Sequence, residues 1–204
     1  MSTRLERLDS GTLLQAVSTR ADFSSAVRVA ALLFVTVLTA VAAQVSIPLP
    51  FTPVPFTLQP MIVLLGGAAL GSRLGASSQI LYLALGLTGL PVFAASPVLP
   101  QGFARLLGPT GGYLMSYPLA AFVAGYLAER GFDRRYLTSV LAMAAGLAII
   151  FACGVAWMAW GAPHVGLPAA VRTGLVPFIP ADIVKVFLAA TLLPAAWRFL
   201  RQPQ

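Results

Sequence analysis

Residues 177–185 read Pro177-Phe178-Ile179-Pro180-Ala181-Asp182-Ile183-Val184-Lys185, and an apolar run follows at once. Lys185 is the only lysine in the chain, and Asp182 is the only carboxylate after Asp133. Three residues apart, the two share one face of a helix. Pro180 suits the first turn, where a missing N–H costs little, and the helix dipole favours a negative charge there. Ionisable groups at membrane depth are expensive and face protein or a wet cavity, so the pair is a functional-site candidate by default. A purely structural pair that pins the helix entry has the same local sequence.

The membrane setting follows from composition. Of 204 residues, 58% are hydrophobic and 9% charged, against about 25% charged in a soluble domain. So few charges cannot coat a soluble globule, and the chain reads as an integral membrane protein. The formal charge of +7 is no nucleic-acid signal, because the arginines lie in gaps between apolar runs and form no basic stripe with interleaved aromatics. The lone Cys153 lies in an apolar run and reads as a buried inert thiol. The first 25 residues mix Arg, Asp, Glu and Ser without an apolar centre, which reads as a cytoplasmic tail rather than a signal peptide.

Working outward, residues 1–25 form a polar segment with an amphipathic pattern (Leu5, Leu8, Leu13, Leu14, Val17) suited to the membrane surface. Residues 26–200 form a six-helix membrane domain. Helices are expected over about Ala26–Ala43, Leu58–Leu70, Leu74–Leu87, Gly112–Leu127, Leu137–Trp160 and Pro180–Phe199. Ala26–Ala30 and Thr36–Ala40 are small-residue pairs that permit close helix approach. Between the first two helices, four prolines in the eight residues Pro48–Pro55 forbid a helix. This uncharged apolar loop reads as a lid or cavity wall, since non-helical backbone at such depth needs shielding. A second irregular connection of about 20 residues starts at Gly89, long enough to suggest a functional role. Glu129 to Arg135 reads as a solvated charged loop, and Gly161 to Leu175 as a third connection.

Six helices place both termini on one side. Arg4, Arg7, Arg20, Arg28, Arg73, Arg130, Arg134, Arg135, Arg198 and Arg201 share that side, and only Arg105 and Arg172 fall opposite. By the positive-inside rule the termini are cytoplasmic. The fold class is thus an all-α integral membrane protein with six transmembrane helices, cytoplasmic termini and structured apolar extracellular loops, multi-pass in the cytoplasmic membrane. The three loops converge on the outer face with Asp182 and Lys185, as a loop-closed site requires.

Enzyme signatures are thin. His164 is the only histidine and reads as a loop residue; no placed nucleophile accompanies it, and neither a His-rich nor a Cys-rich metal site can form. No phosphate-binding loop precedes the lysine. Gln44 and Gln59 are amides at helix edges, Gln44 reading as an interfacial amide satisfied by backbone. Tyr82, Phe93 and Tyr113 fit either an interfacial aromatic belt or the wall of a ligand pocket.

Four stretches in order, Pro53-Val54-Pro55-Phe56-Thr57-Leu58-Gln59, Gly89-Leu90-Pro91-Val92-Phe93-Ala94, Gly108-Pro109-Thr110-Gly111-Gly112-Tyr113-Leu114 and Pro177–Lys185, resemble the motif series of the BioY family. That family comprises the biotin-specific membrane subunits of energy-coupling-factor (ECF) transporters. The resemblance covers about Gln44 to Phe199. It implies a substrate-binding subunit that captures biotin from outside, with no resident cofactor and no metal, and whose partners are a transmembrane coupling subunit and two ATPase subunits. The implied site residues are Asp182, Lys185 and Gln59, with Tyr82, Phe93 and Tyr113 as the apolar wall. Two departures stand out: Ala181 replaces the family's usual glycine, and the segment Ala95 to Gln101 lacks the usual glycine-rich run. Lys185 could bind the ligand carboxylate or the ureido carbonyl, or simply neutralise Asp182. The competing reading is an integral-membrane enzyme acting on a lipid-like substrate, with Asp182 and Lys185 as an acid–base pair. A ligand-free assembly subunit is a third.

Overall fold

The computed structural model describes residues 11–18, 24–96, 99–161 and 164–201. Its helices are α1 (Leu13–Ser18), α2 (Ser24–Gln44), α3 (Gln59–Leu70), α4 (Ser72–Leu87), α5 (Phe103–Leu107), α6 (Gly111–Glu129), α7 (Tyr136–Trp160), α8 (Leu167–Gly174) and α9 (Ile179–Arg201). Two short strands, β1 (Ser46–Ile47) and β2 (Phe56–Thr57), pair antiparallel. The six expected helices correspond to α2, α3, α4, α6, α7 and α9, with ends that differ by at most two residues; α3 starts one residue later than expected. Among the described residues, α2, α7 and α9 are long and apolar enough to cross a membrane, and α3 is a shorter apolar helix.

The bundle is organised around α6, which packs on α3, α4 and α7. Ala120, Ala121, Ala124 and Ala128 are fully buried along it. Backbones meet directly: a Cβ at Gly67 would lie 2.4 Å from the Ala121 carbonyl oxygen. Small residues permit such approach where apolar side chains alone supply no driving force between helices in lipid. The close approach therefore falls on α3 and α6, whereas Ala26 and Ala30 of α2 are exposed. α2 instead joins α4 through polar contacts. Thr36 Oγ1 donates to Ser78 O at 3.0 Å, and Gln79 Nε2 donates to Thr39 Oγ1 at 3.3 Å.

At the end of the bundle carrying Gly71 and Asp133, a single glycine with φ 89° turns α3 into α4. Glu129 then accepts from the Ser72 N–H (2.8 Å) and Ser72 Oγ (2.9 Å). This is a carboxylate placed where the helix dipole favours it. The charged stretch expected to be solvated is thus partly built into the fold. Asp133 is 1% exposed and accepts from Trp197 Nε1 at 2.6 Å. Arg134 lies over the Trp197 ring and donates to Gly11 O, tying down the start of α1. Burial raises the Asp133 carboxyl above its ordinary value, with the Trp197 hydrogen bond and Arg134 opposing. α1 begins with a reciprocal cap: Thr12 N–H donates to Gln15 Oε1 and Gln15 N–H to Thr12 Oγ1. Of the amphipathic pattern, Leu13 and Leu14 lie on this helix; Leu5 and Leu8 lie outside the described residues. Cys153 is half-buried rather than buried.

The opposite end is closed by loops. The β1–β2 pair pinches the base of the proline loop, so the chain is not wholly helical. The third connection holds α8, which packs on α7 through the fully buried Ala170. In the second connection, five consecutive carbonyls are taken by side chains. Gln44 Nε2 donates to Pro91 O and Phe93 O, Tyr82 Oη to Val92 O, Arg105 Nη2 to Ala94 O, and Ser46 Oγ to Ala95 O. A segment too irregular for a ladder still satisfies its backbone, as buried polar groups must. Gln44 is accordingly a backbone-satisfied amide.

Candidate ligand-binding site

Beneath those loops lies a partly open cavity. Val54, Pro55 and Thr57 of the proline loop, Gln59 and Pro60 of α3, Ala94, Arg105 of α5 and Thr110 line it. Tyr113, Leu114 and Tyr117 of α6, Ile150 and Phe151 of α7, Phe178, and Asp182 and Lys185 of α9 complete the wall.

The period of α9 explains how its pair reaches the cavity. Asp182, Lys185, Val186, Ala189, Ala190, Leu193 and Trp197 are buried, a stripe at helical spacing. Asp182 is 4% exposed and Lys185 8%. Lys185 Nζ donates to Asp182 Oδ1 at 2.6 Å and to Thr57 O at 2.7 Å, and lies 3.6 Å from the Phe56 ring centroid. The ammonium's donors are therefore committed to the protein, and it holds the carboxylate in place. Among the described residues only Oδ1 of Asp182 accepts a hydrogen bond, which leaves Oδ2 with acceptor capacity.

Gln59 is 2% exposed. Its Nε2 donates to Tyr82 Oη at 2.6 Å, and its Oε1 meets Thr57 Oγ1 at 3.4 Å. One amide N–H and one lone pair remain for a ligand. Tyr113 lines the cavity and anchors α8 by donating to Gly174 O at 2.7 Å.

The structure brings Asp182, Lys185, Gln59 and Tyr113 to one cavity. Tyr82 and Phe93 stand one layer back, fully buried and absent from its lining. Tyr82 holds Gln59, and Phe93 packs edge-on against Tyr82 at 5.6 Å between ring centroids. A Cβ at Gly86 would fall 2.1 Å from Phe93 Cζ, so that glycine makes room for the ring.

Sequence reasoning missed Arg105, Thr110 and Tyr117. Arg105 counted only as an outer-face charge, yet it is 1% exposed and held by the Pro100 and Ala94 carbonyls. Burial draws it below its ordinary value, opposed by Tyr82; a guanidinium keeps its proton at physiological pH all the same. The available signal was an arginine on the side where positive charge is scarce. Tyr117 continues the α6 face two turns below Thr110. Among the described residues no group of His, Cys, Asp and Glu could hold a metal ion.

The cavity thus offers an anionic acceptor, an amide, a buried cation and a hydroxyl between apolar walls. Such a cavity, inside a helical membrane protein, suits a small, partly polar molecule. The BioY family model matches residues 15–202, and the chain belongs to that family. It is 44% identical over 155 residues to the "Probable biotin transporter BioY" of Pyrococcus horikoshii, covering 76% of this chain and 86% of that protein. It is 40% identical over 157 residues to the "Biotin transporter BioY" of Thermotoga maritima, covering 77% and 88%. A solved structure, that of the S-component for biotin from an ECF-type ABC transporter, superposes with a TM-score of 0.77 at 26% identity, covering 90% of this chain and 95% of the other.

Proposed function

We propose that this chain is the biotin-capturing subunit of an ECF-type transporter. Family membership gives the class, and the observation that carries the reading for this chain is the buried Asp182–Lys185 pair at the cavity wall. Biotin carries a ureido ring with two N–H donors and a carbonyl, an apolar thioether ring and chain, and a carboxylate. Asp182 Oδ2 takes a ureido N–H in a charge-assisted bond, while Lys185 is the positioning partner that holds the Asp182 carboxylate in place through Oδ1. Gln59 completes the ureido end, with Tyr82 and Phe93 fixing its amide from behind. Tyr113, Tyr117 and Phe178 enclose the apolar body.

In this reading α2, α3, α4, α6, α7 and α9 are six membrane spans, the termini face the cytoplasm, and the cavity opens outward beneath the loops. Arginine placement supports that orientation. Residues 1–25 form a cytoplasmic segment that includes α1, and residues 26–200 form the substrate-binding domain. Uptake across the cytoplasmic membrane then requires a transmembrane coupling subunit and two ATPase subunits, biotin being substrate and no cofactor resident. The named relatives are transporters, and nothing about the cavity favours the acid–base enzyme over them.

The test is calorimetric titration of biotin into the purified, detergent-solubilised protein, with the mass of any co-purifying molecule measured. Saturable one-to-one binding is expected. Absence of binding by protein free of bound ligand, or a different vitamin in the cavity, would overturn the reading.

A further inference from the structure

Thr110 occupies the N-cap position of α6, yet its side chain makes no capping hydrogen bond. An N-cap threonine normally accepts from the N–H of the second or third helical residue. Here the residue is 5% exposed, lines the cavity, and its Oγ1 is buried with no partner among the described residues. A buried hydroxyl without a hydrogen bond is costly and asks for an explanation. Thr110, Tyr113, Leu114 and Tyr117 form one face of the helix start at i, i+3, i+4 and i+7, and all four line the cavity. The hydroxyl is thus the polar top of an otherwise largely apolar wall.

Its surroundings select the chemistry. The helix beneath it has 19 residues, and the positive end of its dipole lies at Thr110. Among the described residues the N–H groups of Gly112 and Tyr113 meet no acceptor. Arg105, five residues earlier, lines the same cavity. A hydroxyl, an uncapped helix start and a buried guanidinium suit an anion. Asp182 is itself an anion, so its neighbourhood suits the ligand's N–H donors and not its negative end.

We propose that Thr110 is a ligand-contacting specificity residue whose hydroxyl donates to the substrate carboxylate, with Arg105 and the α6 N-terminus supplying the positive field. The inference rests on the biotin-capture reading and extends it: the acid end of the substrate lies at α5–α6, and the ureido end at α3–α9. Free acids are accordingly preferred over analogues that lack the charged tail.

The experiment compares wild type with Thr110→Val, which keeps the shape and removes the hydroxyl. Two probes are titrated: biotin, and an analogue whose carboxylate is replaced by a methyl group. Thr110→Val is expected to weaken biotin by about 10- to 150-fold, the worth of one charge-assisted hydrogen bond, and to leave the analogue's affinity unchanged. Thr110→Ser is expected to retain most of the biotin affinity. Without ligand, Thr110→Val melts no lower than wild type, because the hydroxyl it loses has no protein partner. Equal losses for both probes would overturn the carboxylate assignment, and no loss for either would overturn the contact itself. A Thr110→Val protein that melts lower or fails to fold would expose a structural role and overturn the inference too. Wild type that binds neither probe removes the biotin reading and this inference together, whereas wild-type binding with a silent Thr110→Val removes this inference alone.

Discussion

Replacing Lys185 by Met, a side chain of similar reach, removes a positive charge from the interior and strips Asp182 of its ion-pair partner. At 2.6 Å and an effective dielectric of about 20, the gross attraction lost is about 6 kcal/mol. Desolvation of both ions offsets much of that in the intact pair, but a stranded partner still costs about 3–5 kcal/mol. At roughly 2–4 °C per kcal/mol for a chain of this size, Lys185→Met should melt about 6–20 °C below wild type. Asp182→Asn combined with Lys185→Met removes both charges, so most of that loss should return. Binding behaves differently: neither the single nor the double variant offers the ureido ring an ionised, correctly held acceptor. The assay is a thermal-unfolding series in detergent on wild type, both single variants and the double variant, with calorimetric titration of biotin on each. Stability should recover in the double variant while affinity does not. A double variant as unstable as Lys185→Met would show that the pair's role is not mutual neutralisation. Wild-type biotin affinity in the double variant would refute the assignment of the site.

Asp182→Asn alone keeps an acceptor but loses its charge, and should weaken biotin by about 10- to 150-fold in a folded, membrane-inserted protein; unchanged affinity in titration would contradict the role. Gly86→Ala drives a methyl group into the Phe93 ring, so Phe93 and the 91–95 segment must shift; faster biotin release in stopped-flow measurements is the expected sign. Asp133 has a carboxyl raised by burial, so the folded state binds more protons than the unfolded chain between the ordinary value of about 3.9 and the raised one. Stability therefore falls as pH rises through that window. Asp133→Asn should flatten this fall and melt above wild type at neutral pH, which a pH series of unfolding curves checks.

The helices were legible because long uncharged apolar runs have few readings at this composition. The acid–ammonium pair was legible because charges are scarce enough for each to carry meaning. Layers within the site were not. Tyr82, Phe93 and Tyr113 are all aromatics near one end of the bundle, and local sequence does not say which ring faces the cavity and which packs behind it. That distinction depends on Gly86, whose missing side chain admits Phe93 from another segment. Arg105 was hidden for a related reason: charge counting places an arginine on a side of the membrane but not at a depth. Thr110 sits in Gly108-Pro109-Thr110-Gly111-Gly112, which reads as a turn, so its hydroxyl looked like turn chemistry. The burial of Asp133 depends on Trp197, 64 residues away, a pairing no periodicity reveals.

The run of five carbonyls held by Gln44, Tyr82, Arg105 and Ser46 has a kinetic consequence. A flap fastened by individual side chains can come undone one tether at a time, without unravelling a strand or a helix. Residence time and equilibrium affinity can then be tuned separately at Gln44 and Ser46, where a loosened tether would hasten both entry and escape; Tyr82 also holds Gln59 and Arg105 lines the cavity, so loosening either alters the grip as well.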